Sequence, residues 1–195
     1  MLNDFMEIEI DSINHFYRYE VNHDVASRVR EVLWNELVHT PTQCMNVAYC
    51  VHCGNPSGCN CTTIINTNAC DRYYKLAWLG LAPMELRSMK SFYDAVCVVA
   101  YGDDSIVSIK REVLPWYNFR TISQHLLDLY GIKFTMADKS GEILESKPVT
   151  DCIFLKNGFR RDGMIYHAIM DEGTLREMVN WIRDSDDDYA ANVVS

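Results

Sequence analysis

Tyr101-Gly102-Asp103-Asp104 stands between two apolar runs, Asp94-Ala-Val-Cys-Val-Val-Ala100 before it and Ser105-Ile-Val-Ser-Ile-Lys110 after it. Both flanks read as strands: Val96, Val98, Val99 and Ala100 lead in, and Ile106, Val107 and Ile109 lead out. Gly102-Asp103 supplies residue types that take the positive φ of a two-residue hairpin turn, so the stretch predicts a buried antiparallel hairpin with two adjacent carboxylates at its tip. Like charges this close repel in a partly desolvated site. Either one carboxyl keeps its proton or a divalent cation takes both. Taken alone, Gly-Asp-Asp is ordinary turn chemistry, because Asp is a frequent turn residue. The weight of the site reading therefore falls on what else the chain carries.

The chain has 195 residues, 48% of them hydrophobic, which is enough for one large domain or a domain plus a fragment with a real core. No apolar run is long enough to span a bilayer, and the first residues lack the basic-then-apolar pattern of a secretory signal, so the sequence reads as cytosolic. Eight cysteines raise the question of zinc or disulfides, with Cys50-Val-His-Cys53 the strongest case. Residues 47–52 look like a strand, where positions three apart face opposite sides, and no second cysteine pair supplies further ligands. Cys70 and Cys97 sit among apolar residues and read as small buried hydrophobes carrying free thiols. The net charge of −9 argues against a nucleic-acid partner if read globally. It is regional, however: Asp4, Glu7, Glu9, Asp11 and residues 184–188 hold much of the excess, while Lys156, Arg160 and Arg161 form a basic cluster.

Leu2, Phe5, Met6, Ile10, Ile13, Phe16 and Tyr17 recur at helical spacing, predicting an amphipathic helix over residues 2–19. The pattern is already running at Met1, as if the chain continued something longer. A second helix is expected after Asp24 as N-cap, with Val25, Val29, Leu33 and Leu37 on its buried face. Residues 46–52 alternate like a strand and run into a loop, Gly54-Asn-Pro-Ser-Gly58, rich in turn formers. A helix follows, buried through Ile65, Ala69, Tyr73, Leu76 and Ala77, with Thr62 and Asn66 one turn apart on another face. Backbone N–H groups at such a junction favour anions, although Ser57 and Gly58 alone read as a tight turn. Beyond the hairpin, Phe119, Ile122, Leu126 and Leu129 predict a helix ended by Gly131, and Ile132, Phe134 and Met136 a strand leading to Lys139. Residues 152–159 predict a second hairpin turning at Asn157-Gly158. Thr174-Leu-Arg-Glu177 reads as a capping box opening a helix through Met178 and Ile182, followed by a polar acidic tail.

Four of these motifs occur together in one order: Gly54-Asn-Pro-Ser-Gly58 with Thr62, Thr63 and Asn66, then Tyr101-Gly102-Asp103-Asp104, then Ala137-Asp-Lys-Ser140, then Phe154-Leu-Lys156 with Phe159-Arg160. In this order they resemble RNA-dependent RNA polymerases, closest to those of picorna-like positive-strand RNA viruses, including viruses of insects and other invertebrates. The resemblance implies an α+β fold, an RRM-like polymerase palm of antiparallel sheet backed by helices, truncated at both ends. It divides the chain into a partial palm over residues 1–160 and the start of a thumb over 161–183, while the acidic composition of 184–195 reads as a disordered tail.

The same resemblance implies an RNA-directed RNA polymerase working by two metal ions, Mg²⁺ or Mn²⁺, in viral RNA replication. Asp103 matches a direct metal ligand and Asp104 an outer one; Lys139 matches a general acid for the leaving pyrophosphate. Ser57, Gly58, Thr62 and Asn66 match the residues that sense the incoming ribose, with Thr62 orienting Asn66. Lys156 and Arg160 match contacts to the primer backbone. The implied partners are RNA template and primer, nucleoside triphosphates and other viral replication proteins, in the host cytoplasm at replication complexes. The family's first motif, with its own metal-binding aspartate, falls upstream of Met1, so the chain alone is expected to be inactive. A non-catalytic palm-like module that binds RNA or protein is the alternative from another class. A reverse transcriptase is a third, less suited to a Ser-Gly loop with Asn66.

Overall fold

The computed structural model describes residues 3–50, 58–136 and 144–178. The chain divides into two compact units, residues 1–143 and 144–195. In the first, two helices, α1 (Asn3–Phe16) and α2 (His23–Val38), precede a short hairpin of β1 (Pro41–Cys44) and β2 (Val47–Cys50). A long helix, α3 (Thr62–Leu81), and a short one, α4 (Met89–Ala95), lead into the hairpin of β3 (Val96–Tyr101) and β4 (Asp104–Ile109), and α5 (Phe119–Tyr130) follows. The fold is α+β with antiparallel strands, as expected, and the described strands pair as two-stranded sheets.

The core gathers around α3. Its inner face buries Ile65, Ala69, Cys70, Tyr74, Ala77 and Trp78, a 3.6-residue stripe close to the expected one; Tyr73 and Leu76 are only half-buried. Trp78 is fully enclosed, edge-on to Phe92 at 5.7 Å and Tyr117 at 5.1 Å and tilted against Trp116 at 4.9 Å. Its indole N–H donates to Leu86 O at 2.9 Å, the partner that a buried tryptophan requires. Tyr117 OH donates to Tyr74 O at 2.7 Å, and α5 adds Ile122 and Leu126. Asn118 and Thr121 form a reciprocal capping box at the start of α5, and Gly131, at φ 66°, closes its other end. On the opposite flank α1 packs Phe5 edge-on to Tyr73, and Glu9, 2% exposed, is paired with Arg72 and accepts from Asn68. Glu9 therefore does not belong to a solvated acidic surface.

Several local expectations are corrected. Helix α2 starts after Asn22, which takes φ 62°, and Asp24 lies inside its first turn. Its apolar stripe is outward: Val25 is 66% and Leu33 64% exposed. Asp94 and Ala95 end α4, where Ser88 accepts from Ser91 N, so the strand begins only at Val96. The β3–β4 hairpin turns one face to the core, with Val96 buried and Val98 and Ala100 half-buried, and Cys97 on the other face is exposed. Cys97 is thus no core residue: strict two-residue alternation turned it outward when Val96 turned in. Cys70 is buried as expected. Residues 132–136 alternate in burial as a strand does, yet form no ladder; Ile132 N bonds Leu126 O and Phe134 O accepts from Ser123, so α5 satisfies this extended segment.

The second unit holds β5 (Asn157–Asp162), β6 (Ile165–Met170) and α6 (Glu172–Met178). Asn157-Gly158 is not the turn. Leu155 and Lys156 take φ 51° and 62° between the bridged residues Phe154 and Asn157, with the Asn157 side-chain amide donating to Leu155 O at 2.9 Å. The Asn side chain supports the turn from just outside it, and Asn157-Gly158 then opens β5. The larger hairpin turns at Gly163, φ 59°, between Asp162 and Ile165. Helix α6 is capped by Asp171, whose carboxylate accepts from Thr174 N at 3.0 Å, three residues ahead of the expected cap at Thr174. The expected thumb boundary at residue 160 falls inside β5. Ile182 and the acidic tail lie outside the described residues.

Tyr74 generates a test of the core. Its hydroxyl lies 2.7 Å from Ser105 Oγ, and burial pushes its pKa up to about 12, the Ser105 contact acting in the other direction. A phenol with a raised folded pKa stabilises the fold fully below its unfolded value near ~10 and loses that contribution as pH climbs toward ~12. Chemical denaturation should find Tyr74→Phe about 1 kcal/mol less stable at pH 8, from the lost hydrogen bond. The gap should close or invert by about 2–3 kcal/mol between pH 10 and pH 12.

Candidate active site

The candidate site is the β3–β4 turn and the helix end it faces. β3 and β4 pair in register from Val96↔Ile109 to Tyr101↔Asp104, leaving Gly102 and Asp103 as the two turn residues. Gly102 takes φ 65° and Asp103 keeps a negative φ, so the glycine alone carries the left-handed turn. A Cβ at Gly102 meets nothing within 4 Å, so the demand for glycine there is one of backbone conformation and not of space.

Asp103 and Asp104 are both exposed. Asp104 opens β4 opposite Tyr101, on the outward face with Val99 and Cys97. Gly102, between them and the core, is buried, and its N–H donates to Thr67 Oγ1 at 2.8 Å. Thr67 in turn donates to Thr63 O at 2.7 Å. The carboxylate turn is thereby tied to the first turns of α3, where Thr62 and Asn66 stand one turn apart and half-buried. Below it, burial pushes the Cys70 thiol up; a hydrogen bond with Ser105 opposes that, and the charges of Asp71 and Asp103 add to the rise.

Of the residues singled out from the sequence, Asp103 and Asp104 lie on the turn, Thr62 and Asn66 on the helix to which that turn is tied, and Gly58 ahead of α3 at φ 91°. Ser57 and Lys139 lie outside the described residues. Lys156 and Arg160 are exposed in the second unit, Lys156 on the tight turn and Arg160 in β5. Thr67 was not singled out. Its signal was available, since it directly follows Asn66 on the helix that must face the hairpin, but a threonine inside a helix carries no motif of its own.

Two carboxylates on an exposed turn are hard oxygen donors, which suits a small divalent cation that keeps several waters and takes its remaining ligands from substrate oxygens. Among the described residues no group of three His, Cys, Asp or Glu side chains could hold a metal by itself. No described helix is long and apolar enough to cross a membrane.

The sequence model of the family described as viral RNA-dependent RNA polymerase matches residues 3–194. The chain belongs to that family. It is 33% identical over 185 residues to the genome polyprotein of Rice tungro spherical virus (strain A), a match covering 90% of this chain and 5% of the polyprotein. The genome polyprotein of Deformed wing virus is 32% identical over 177 residues, 90% of this chain and 6% of that one. The replicase polyprotein of Drosophila C virus (strain EB) is 31% identical over 160 residues, 80% and 9%. The chain thus spans less than a tenth of the length of these relatives, which belong to picorna-like viruses as the motifs implied. The Sicinivirus 3Dpol RNA dependent RNA polymerase shares the fold, with a TM-score of 0.65 at 22% identity over 82% of this chain and 32% of that one.

Since the turn's requirement is conformational, Gly102→Ala in this chain should cost about 1–2 kcal/mol, the penalty for a left-handed alanine. Gly58→Ala, in an equally open position, should cost a similar amount but leave the hairpin's amide chemical shifts unchanged. Denaturation curves and two-dimensional NMR of both variants check this.

Proposed function

We propose that this chain is the part of an RNA-directed RNA polymerase that carries the metal-binding turn and the ribose-sensing helix end, acting in viral RNA replication. The observation that carries the reading is the tether of Gly102-Asp103-Asp104 to the helix bearing Thr62 and Asn66, in a chain of the polymerase family. The substrates are nucleoside triphosphates and an RNA primer on its template, with other viral replication proteins as partners. The place of action is the host cytoplasm, at replication complexes. Residues 1–160 correspond to part of the palm, 161–183 to the beginning of the thumb, and 184–195 to an acidic tail.

In this reading Asp103 is the direct metal ligand and Asp104 supports it from the adjacent strand position. Mg²⁺ or Mn²⁺ bound there supplies charge neutralisation and Lewis acidity for nucleotidyl transfer. Asn66, whose amide both donates and accepts, reads the ribose 2′-hydroxyl with Ser57, Gly58 and Thr62 around it. Lys139 gives a proton to the departing pyrophosphate, a role suited to an ammonium beside polyphosphate. Lys156 and Arg160 hold the primer through its phosphates, contacts that position without reading sequence.

Because two carboxylates hold a cation only loosely, the chain by itself should not extend a primer, and catalysis calls for a further acidic ligand from the longer protein. Positioning can supply roughly 7–11 kcal/mol of barrier lowering in a complete site, and most of it should be missing here. The experiment is primer extension by the 195-residue chain, by a polymerase that contains it, and by the Asp103→Asn form of each. Extension by the longer protein alone, reduced by orders of magnitude in Asp103→Asn with RNA binding retained, supports the reading. Near-normal turnover of Asp103→Asn at saturating metal overturns the assignment, and RNA binding without extension by the longer protein points to a binding module. In the same polymerase, Lys139→Leu should lower kcat more than it raises KM and flatten the pH–rate profile; a change confined to KM makes it a binding residue.

A further inference from the structure

Helix α3 meets the catalytic hairpin through two hydroxyls seven residues apart. Thr67 Oγ1 accepts from Gly102 N at 2.8 Å, and Tyr74 OH lies 2.7 Å from Ser105 Oγ. Positions 67 and 74 lie on one face of the helix, and Gly102 and Ser105 are the residues on either side of Asp103-Asp104. The two carboxylates are therefore bracketed by contacts to the same helix.

The Thr67 contact is the more demanding of the two. In a two-residue hairpin turn the first turn residue's N–H takes no part in the ladder, which here ends at the Tyr101↔Asp104 pair. Gly102 is buried, so that N–H cannot fall back on bulk water and must find a protein partner. A hydroxyl carries one proton, and Thr67 directs its own to Thr63 O at 2.7 Å. What it presents to the turn is an oxygen lone pair, oriented by the helix. Thr67 also directly follows Asn66, so the ribose-sensing position and the seat of the carboxylate turn are consecutive residues of one rigid element.

We propose that Thr67 is a positioning residue for this site: its hydroxyl accepts the Gly102 N–H and thereby sets the height of the Asp103-Asp104 turn above the end of α3. The side chain touches neither substrate nor metal in this role. It acts through the Gly102 backbone, with Tyr74 and Ser105 holding the β4 side. The catalytic consequence rests on the polymerase reading of the site; the hydrogen bond itself does not.

The test compares Thr67→Val, which keeps the β-branched shape and loses the acceptor, with Thr67→Ser, which keeps the acceptor and loses a methyl. Native-state hydrogen exchange at the Gly102 amide of the 195-residue chain is the first readout. Exchange should speed up about tenfold in Thr67→Val, and in Thr67→Ser stay within about threefold of the unsubstituted chain, with the Trp78 amide unaffected in both. In a polymerase that contains the chain, Thr67→Val should lower kcat roughly 10- to 100-fold with little change in the KM for nucleotide, and raise the Mg²⁺ concentration needed for half-maximal rate. Thr67→Ser should restore both. Should Thr67→Val not fold, Thr67→Ala removes the same acceptor without steric demand and serves in its place. Unchanged Gly102 exchange in the variant lacking the acceptor overturns the proposal. So does faster exchange with normal kcat in a polymerase that Asp103→Asn inactivates. If Asp103→Asn is itself active, the polymerase assignment fails, and the exchange result alone decides whether Thr67 seats the turn.

Discussion

Trp78 sets the rotation of the longest helix, and the rest of the first unit is arranged on that rotation. A fully enclosed indole has no tolerance for an unpaired N–H, and its partner, Leu86 O, lies just past the end of α3. With the ring wedged among Phe92, Trp116 and Tyr117, α3 can neither turn nor slide without opening a cavity. Eleven residues earlier, three helical turns, Thr67 lies on the same side and faces the hairpin. The aromatic cluster and the carboxylate turn are thus two ends of one constraint, with Tyr74 midway contributing its carbonyl to Tyr117 and its hydroxyl contact to Ser105.

Charge is distributed to suit this arrangement. The Glu9 carboxylate is buried but matched, by Arg72 and Asn68 of α3, so it fastens α1 to the helix and adds nothing to the surface field. Asp103 and Asp104 are the reverse, exposed and adjacent. In a chain of net charge −9 they add like charge at an exposed tip, where water and salt screen it. Partnered acid inside and open acid at the turn thus sit on contacts of the same helix in opposite environments.

The sequence carried the hairpin and the stripe of α3 because both rest on short-range rules: a glycine at a two-residue turn, and an apolar period of 3.6. It carried the candidate site as far as the described residues go, because Asp103, Asp104, Thr62 and Asn66 sit directly on those elements. It misled where a local signal had two readings. Cys97 looked internal among valines, but alternation in β3 gave the inward places to Val96, Val98 and Ala100. Asn157-Gly158 has the residues of a turn, yet the chain reverses at Leu155-Lys156 and uses the Asn157 amide to hold that reversal. The apolar stripe of α2 has helical period and no burial, because periodicity says which residues share a face and not what lies against it. Thr67 was passed over for a related reason: its importance comes from a residue 35 positions away, and its place beside Asn66 is only an indirect sign of that.

That separation bears on the order in which the molecule assembles. The ladder of the hairpin joins residues 3 to 13 apart and can close by itself on the microsecond scale. The hydroxyl contacts that seat it join residues 31 and 35 apart and must wait for that much chain to be ordered. Local opening runs in the reverse direction, giving up first the contacts with the highest loop-closure cost and the fewest neighbours. Between this hairpin and α3, a formed but unseated hairpin is therefore an excursion open to the protein before the aromatic core gives way, and in it the carboxylates lose their seat while Trp78 stays enclosed.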